Sequence, residues 1–275
     1  MTPLLTTPTL AVGEFHCPPD DASWREANLI GDRAHVVFPR RSVVITQVGH
    51  EPVLATPNHT MLYNADQRYH RELHHELGDE SVFVEVSEGS LERLAGDSRL
   101  RATHLPADQR TYLLQHLLVR HLRSRAADPL EAEELAFRLV LSALARAAVR
   151  RRPSRERTST DHRELAEAAK AELSADLAAR PTLDELARRL HTSPFHLARV
   201  FRAETGFTLA GYRQALRLRA ALERLPGNDR DLSALGLELG FSSHSHFTAT
   251  FTREYGVPPS AIKDPRRIRA LLGAA

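Results

Sequence analysis

Residues Leu239–Ile262 read LGFSSHSHFTATFTREYGVPPSAI, and this stretch decides the fold of the C-terminal half. A short turn at Gly240–Ser242 leads to Ser243, a favoured N-cap residue, and a helical pattern follows in which Phe247 and Phe251 share one face. Gly256 is expected to end that helix, because glycine adopts the left-handed C′ conformation without strain. The pattern is typical of the turn and second helix of a helix-turn-helix motif.

The same pattern occurs about 50 residues earlier, so the C-terminal half contains an internal repeat. Leu183–Leu190 corresponds to Leu232–Leu239, and the equivalent single positions are Ser193 and Ser243, Leu197 and Phe247, Phe201 and Phe251, and Gly206 and Gly256. Each copy therefore predicts one helix-turn-helix, and a helix from about Thr208 to Leu225 is expected to join them and fix their separation.

Local signals support both copies. Thr182 and Glu185 form a capping-box pattern before the first copy, and Pro194 suits the first helical position after Ser193. Ala187 and Gly236 stand where the two helices of each motif cross, because small side chains let the helix axes approach. A single amphipathic helix pair of this kind is often plain core packing, but two matched copies favour DNA binding.

The string GF-x-S-x-SHF-x-x-x-F-x-x-x-x-G-x-x-P within Leu239–Ile262 resembles the signature of the AraC/XylS family of bacterial regulators. The similarity covers about Arg163 to Arg267. It implies two helix-turn-helix subdomains joined by a long helix, each placing one recognition helix in the major groove of promoter DNA. It also implies an attached sensing or dimerisation domain.

By position, the resemblance assigns the residues that face DNA. The first recognition helix would present Phe195, His196, Ala198 and Arg199, and the second His244, Ser245, Thr248 and Ala249. Arg199 suits a guanine edge, whereas Arg202 and Arg253 suit phosphates. The N-cap residues Ser193 and Ser243 are also candidate DNA-binding residues. Ala249 stands where many members have Arg, and Ile262-Lys263 where Tyr-Arg is usual, so fewer contacts are expected there.

The N-terminal half is predicted to be rich in β-strands. Short runs of Val, Ile, Phe and Tyr separated by turn residues predict strands at His35–Phe38, Ser42–Val48, Pro52–Thr56, Thr60–Tyr63 and Ser81–Val86. Two amphipathic helices follow, at about Ala107–Arg125 and Leu130–Val149, which could cover the sheet or pair with a second chain. The order of elements weakly resembles the cupin-like sensing domain of the family.

The predicted fold class is therefore α+β, with a β-rich cupin-like domain and helix pair at residues 1–149, a linker at 150–161, and an all-α DNA-binding domain at 162–270. The linker prediction rests on the almost complete absence of apolar residues from Arg150–Asp161, whose arginines could contact phosphates or simply be solvated. Charge follows the division: residues 1–145 carry 14 Arg against 20 acidic residues, whereas residues 158–275 carry 17 basic against 14 acidic residues.

A ligand of the N-terminal domain is harder to predict. The segment Asn58–His75 concentrates His59, Tyr63, Tyr69, His70 and His74, and these side chains are our candidates for an effector pocket. An organic effector is favoured over a metal ion, for which Cys17 could add a soft ligand, and a domain that only dimerises is the remaining alternative. The arm before Asp20 could close over a ligand.

The chain lacks an esterase elbow, a phosphate-binding loop, a dinucleotide fingerprint and a paired zinc-binding motif, so we expect no enzyme and no cofactor. The alternative is a cupin-type metal enzyme or metal sensor with a DNA-binding tail. With no signal peptide and no apolar run of membrane length, the expected location is the cytoplasm. The expected partners are double-stranded promoter DNA, RNA polymerase, a small-molecule effector and a second copy of the chain in a dimeric activator.

Overall fold

The computed structural model describes residues 1–124, 127–145, 156–226, 231–264 and 267–274. The chain divides into two compact units. One unit contains Met1–Arg150 together with Ile268–Ala275, and the other contains Arg151–Arg267. Within the described ranges, no helix is both long and apolar enough to cross a membrane.

The N-terminal unit is built on antiparallel strands arranged in two sheets. Their bounds are β1 Thr2–Thr6, β2 Leu10–Cys17, β3 Asn28–Leu29, β4 Ala34–Pro39, β5 Val43–Gln47, β6 Val53–Ala55, β7 His59–Tyr63, β8 Arg68–Glu72, β9 Asp79–Val86 and β10 His104–Pro106. One sheet has the order β1-β2-β9-β4-β7-β10 and the other β3-β8-β5-β6.

Alternation along the strands gives the unit a common interior. Successive side chains of a strand point to opposite faces, and strand pairing keeps the faces in register. In β9, Val82, Val84 and Val86 are fully buried on one face, while Asp79, Ser81 and Phe83 lie on the other. That second face, β7 of the same sheet, and β5 and β8 of the other sheet line a cavity.

The five strands predicted from the sequence are confirmed, as β4, β5, β6, β7 and β9. The segment before Asp20, which was expected to be an arm that could close over a ligand, is part of a sheet. Residues before Asp20 do not form a loose arm, since β2 pairs along its whole length with β9, from Leu10↔Val86 to Cys17↔Asp79. This pairing joins segments far apart in sequence, which a local pattern cannot reveal.

Three helices follow or accompany the sheets: α1 Glu88–Ala95, α2 Gln109–Arg123 and α3 Pro129–Leu144. The predicted helix pair is confirmed by α2 and α3, which pack on each other. Asp108 and Asp128 cap them by accepting hydrogen bonds from the backbone N–H groups of Thr111 and Glu131. The end of the predicted second helix, at residues 146–149, lies outside the described residues.

The C-terminal unit is helical. Its helices are α4 Glu156–Ala175, α5 Leu183–Arg189, α6 Pro194–Thr205, α7 Leu209–Arg224, α8 Leu232–Glu238, α9 His244–Tyr255 and α10 Pro259–Lys263. Helix α4 packs on α6, and the core of this half contains Ala169, Leu173, Leu197 and Phe201.

The linker prediction is wrong over its second half. Residues 150–155 lie outside the described residues, but Glu156–Asp161 form the first turns of α4. Apolar residues are not needed there, because Arg and Glu are good helix formers. The expected limit of the DNA-binding domain also differs, since the last helix, α11 Ile268–Ala274, packs on α2 in the N-terminal unit.

Candidate nucleic-acid interface

Helices α5 and α6 form the first helix-turn-helix. The capping box is present: Thr182 Oγ1 accepts from the Glu185 backbone N–H at 3.2 Å, and Glu185 Oε2 accepts from the Thr182 N–H at 2.7 Å. The hydrogen bond that the Thr182 backbone N–H donates to the Glu185 carboxylate holds the pKa of that carboxyl below its usual range. The cap thus fixes where α5 begins.

The turns of both motifs have the same backbone geometry. In the first copy, the N–H of Thr192 donates to the carbonyl of Ala187 at 2.9 Å, and His191 has a positive φ of 50°. In the second, the N–H of Phe241 donates to the carbonyl of Gly236 at 2.9 Å, and the positive-φ position is Gly240, at 80°. The repeat in the sequence is therefore a repeat in structure.

The helix crossing in the second motif is tight at Gly236. A Cβ atom there would lie 3.0 Å from Phe247 Cβ and 3.1 Å from Phe247 Cγ. Ala187 occupies the equivalent place in the first motif and is 1% exposed. The expectation that small residues mark the crossings is confirmed.

We expect Gly236→Val to lower the free energy of unfolding by about 1–3 kcal/mol, because its methyl groups must push α8 away from Phe247. Urea denaturation of the full chain measures this. The matched control is Ala234→Val on the exposed side of the same helix, which should cost only the propensity difference of about 0.5 kcal/mol. Equal effects of the two substitutions would contradict a tight crossing at Gly236.

The two recognition helices, α6 and α9, begin and end alike. Ser193 and Ser243 accept hydrogen bonds from the backbone N–H groups of His196 and His246, at 3.2 and 3.1 Å. Gly206 and Gly256 end the helices in the left-handed conformation, with φ of 79° and 75°. Both serine hydroxyls therefore cap the N-termini of their helices.

Each recognition helix buries one face and exposes the other. In α6, Leu197, Val200 and Phe201 are buried, and in α9, Phe247, Thr250 and Phe251 are buried. The remaining candidates for DNA contact are outside these cores: Phe195, Arg199, Arg202, His244, Ser245, Ala249 and Arg253 are exposed, while His196, Ala198 and Thr248 are half-buried. Phe195 is 80% exposed, which is unusual for so large an apolar side chain.

Short polar contacts orient several of these side chains. Arg199 Nη2 lies 3.2 Å from His196 Nδ1, one turn earlier on the same helix. Thr248 Oγ1 lies 3.4 Å from His244 Nε2 on the second helix. Arg253 pairs with its neighbour Glu254 at 3.0 Å. Exposed pairs of this kind are weak, so the arginines can exchange them for DNA oxygens.

Helix α7 connects the motifs, and Arg217 on it is 9% exposed. Its guanidinium donates to the carbonyls of Leu177 at 2.6 Å and Ala179 at 2.9 Å, in the loop before the first motif. From that loop Arg180 donates to the carbonyl of Gly240, the turn of the second motif, at 3.1 Å. Burial and the nearby Arg213 and Arg180 lower the pKa of Arg217 to about 10. These bonds tie the two motifs together.

Comparison with known proteins places transcription regulators among the relatives of this chain. A helix-turn-helix domain family matches residues 186–264. PqrA of Proteus vulgaris, a probable transcription factor, is 30% identical over 82 residues, which cover 30% of this chain and 67% of PqrA. The chain belongs to the AraC/XylS family.

Other AraC/XylS relatives match over the same half. The regulator ArgR of Pseudomonas aeruginosa is 29% identical over 115 residues, 42% of this chain, and the match spans 35% of the length of ArgR. An AraC-type regulator from Chromobacterium violaceum, known from its crystal structure, is 23% identical, with a TM-score of 0.36, 39% of this chain and 95% of that chain covered.

The departures from the AraC/XylS pattern have plain structural counterparts. Ala249 is exposed on α9 and has no polar atom to offer a base. Ile262 is fully buried, with no exposed area, in the short helix α10. A buried isoleucine stabilises the second motif from within and leaves Lys263, which is half-buried, as the nearest cation.

The N-terminal unit contains a cavity of about 280 Å³, enclosed between the two sheets. Among the five candidate effector residues, Tyr63 and Tyr69 line it, but His59, His70 and His74 do not. His59 points to a turn instead, with Nδ1 3.1 Å from the Thr56 backbone nitrogen. His70 alternates with Tyr69 and Arg71 on β8 and therefore faces solvent, and His74 is exposed beyond that strand.

Sequence reasoning missed the charged residues of this cavity. Arg71 is 4% exposed and pairs with Asp79, 5% exposed, with Nη1 and Oδ2 3.3 Å apart. The guanidinium lies between the rings of Phe15 and Trp24, at 4.7 and 4.9 Å, and Nη2 donates to Ser23 Oγ at 2.9 Å. Burial raises the pKa of Asp79, and Arg71 partly offsets that rise. Inward alternation with Tyr69 is the signal that could have identified Arg71.

The placement of the His, Cys, Asp and Glu side chains bears on the metal alternative for the same segment. Within the described ranges, no group of three or more His, Cys, Asp or Glu side chains is arranged to hold a metal ion. Cys17 is buried, and its sulfur lies 3.5 Å from Ser23 Oγ rather than beside a histidine.

Proposed function

We propose that this chain regulates transcription at bacterial promoters by inserting α6 and α9 into successive major grooves of one DNA site. The observation that carries the proposal is the pair of helix-turn-helix motifs with matching caps, matching crossings and exposed outer faces. The bonds from Arg217 and Arg180 support a fixed spacing between the motifs. Family membership supports DNA as the partner.

Different side chains have different tasks in this proposal. Arg199 reads a guanine edge, and the exposed ring of Phe195 packs on a thymine methyl group, because apolar side chains contact that methyl in the major groove. Arg202 and Arg253 lie nearer the ends of their helices and bind phosphates, which contributes affinity without sequence information. On α9, the short side chains of Ser245 and Ala249 leave fewer base contacts.

The experiment that tests DNA recognition is fluorescence anisotropy with the full chain and two labelled duplexes. One duplex contains the site that the protein enriches from random sequences. The other contains a scrambled sequence with the same base composition. A specific regulator is expected to prefer its site by about a thousandfold or more near physiological salt. Equal affinity for both duplexes across a salt series would contradict sequence-specific recognition.

We further propose that a small molecule in the N-terminal cavity changes how the chain engages DNA. The cavity is concave, is mainly apolar, and has the buried Arg71–Asp79 pair among its lining residues, features that ligand sites share. The cupin-like character of this unit, promoter activation, contact with RNA polymerase and pairing of two chains stay predictions.

A substitution that fills the cavity should remove the ligand response and leave DNA binding intact. Val43 is 3% exposed and lines the cavity, so Val43→Phe would place a ring in the ligand's volume. We expect fluorescence anisotropy to show that the unliganded variant binds DNA with an affinity within about twofold of wild type. Any compound that changes the DNA affinity of the wild type should leave the DNA affinity of the variant unchanged. A variant that still responds would place the effector elsewhere.

A further inference from the structure

The size and walls of the N-terminal cavity restrict its ligand. A volume of about 280 Å³ lies at the lower end of the roughly 300–1,000 Å³ range of small-molecule sites, so a ligand of about one ring suits the cavity. Phe15, Val43, Ile45, Met61 and Phe83 supply apolar walls. A compact ring fits this enclosure better than a sugar, whose many hydroxyls would lie unpaired against those walls.

The floor of the cavity offers hydrogen-bond donors. The rings of Tyr63 and Tyr69 lie 5.0 Å apart, and burial raises the pKa of both phenols, so each keeps its proton. Within the described part of the chain, neither hydroxyl has a hydrogen-bond partner, and both tyrosines line the cavity. A phenol that keeps its proton can donate a hydrogen bond, so a ligand that brings an acceptor oxygen is favoured.

The charges around the cavity disfavour an ionic ligand. Asp79 already neutralises Arg71, so a carboxylate would have to compete with it. At the other end lie Arg33, Asp32 and Glu85, with His35 Nε2 3.4 Å from Glu85 Oε1. Burial lowers the pKa of His35, which favours the neutral ring. The lining thus has three acidic and two basic side chains, and a cation at the floor would lie beside Arg71.

We propose that the cavity binds a small, uncharged, mainly apolar ring compound, whose carbonyl oxygen accepts hydrogen bonds from Tyr63 and Tyr69. This inference rests on the proposed function, because it names the class of the effector. It assigns recognition to the two tyrosines and assigns discrimination against acids to the Arg71–Asp79 pair.

Three isosteric probes test the class directly. Benzamide, benzoate and benzamidinium share one ring and differ in the charge of the head group, which is zero, negative and positive. Each is titrated into the full chain without DNA at neutral pH, and binding is followed by ligand-detected NMR. We expect benzamide to bind at least tenfold more tightly than the two ions. Tighter binding of either ion, or binding of no probe, would overturn the proposal.

Substitutions at the floor test the assigned roles. Tyr63→Phe and Tyr69→Phe should each weaken benzamide binding about two- to tenfold, as expected for one lost hydrogen bond. Asp79→Asn should raise the affinity for benzoate relative to benzamide at least tenfold, since it leaves Arg71 without its counter-charge. Glu72→Gln, on the exposed face of the same strand as Arg71, is the control and should change neither affinity.

Thermal unfolding shows beforehand whether Asp79→Asn folds. If it does not fold, the two tyrosine variants still test the proposal. Wild-type benzamide affinity in both tyrosine variants would overturn the assignment. DNA affinity is measured on the same preparations without a probe. Loss of DNA binding with intact probe binding counts against the proposed function alone, and intact DNA binding without probe selectivity counts against the ligand class alone.

Discussion

Phe251→Ala is expected to lower the free energy of unfolding of the C-terminal unit by about 3–5 kcal/mol. Phe251 is fully buried, and its ring lies 5.8 Å from that of Phe247 and 4.6 Å from that of Tyr255. Removing the ring leaves a cavity at the centre of the second motif, where α9 has no other large anchor between Phe247 and Tyr255. Urea denaturation followed by helical circular dichroism gives the loss.

Phe195→Ala is the matched comparison, with the same change of side chain at a position that is 80% exposed. Its effect on stability should stay within about 0.5 kcal/mol, because an exposed side chain packs on little. Its DNA affinity should nevertheless fall, since the ring is proposed to pack on a base. A large stability loss in Phe195→Ala, or none in Phe251→Ala, would contradict the assigned faces of the two helices.

Arg199→Ala is expected to remove most of the preference for one base in the first half-site, which is about 1–3 kcal/mol of discrimination. Arg199 is exposed in the middle of α6, and its contact with His196 is weak, so its guanidinium is available for the O6 and N7 atoms of guanine. Anisotropy against duplexes that vary one base at a time measures the discrimination.

Arg202→Ala is the control for Arg199→Ala, one turn further along the same exposed face. Arg202 lies in the last turn of α6 and should bind a phosphate. Its loss should weaken specific and scrambled DNA alike and lower the salt slope by about one unit. The assignment is wrong if Arg202→Ala relaxes base preference while Arg199→Ala weakens every duplex equally.

Much of the C-terminal unit could be predicted because its signals are local. The capping box at Thr182, the N-cap serines and the terminal glycines each act within one helical turn, and the two copies confirm one another. The buried positions Leu197 and Phe247 follow from helical periodicity. What the pattern could not reveal is the role of Arg217, whose acceptors lie about 40 residues away along the chain.

The N-terminal unit was less predictable because its structure depends on distant pairing. Proximity in sequence groups Tyr63 and Tyr69 with three histidines, but only the tyrosines line the cavity, because strand alternation turns residues such as His70 away from the interior. Arg71 and Asp79 meet only when β8 and β9 face each other across the cavity. A charged residue inside a strand is a weak signal until its partner is known.

We infer that one chain reads two half-sites held at a fixed separation by α7 and the Arg217 contacts. The most direct measurement is to select binding sites for the full chain from random DNA and then to insert about five base pairs, half a helical turn, between the enriched boxes. We expect two boxes about 10 base pairs apart on one face of the duplex and a large loss of affinity on insertion, since only one recognition helix can then reach its box. A single enriched box, or affinity unchanged by the insertion, would contradict it.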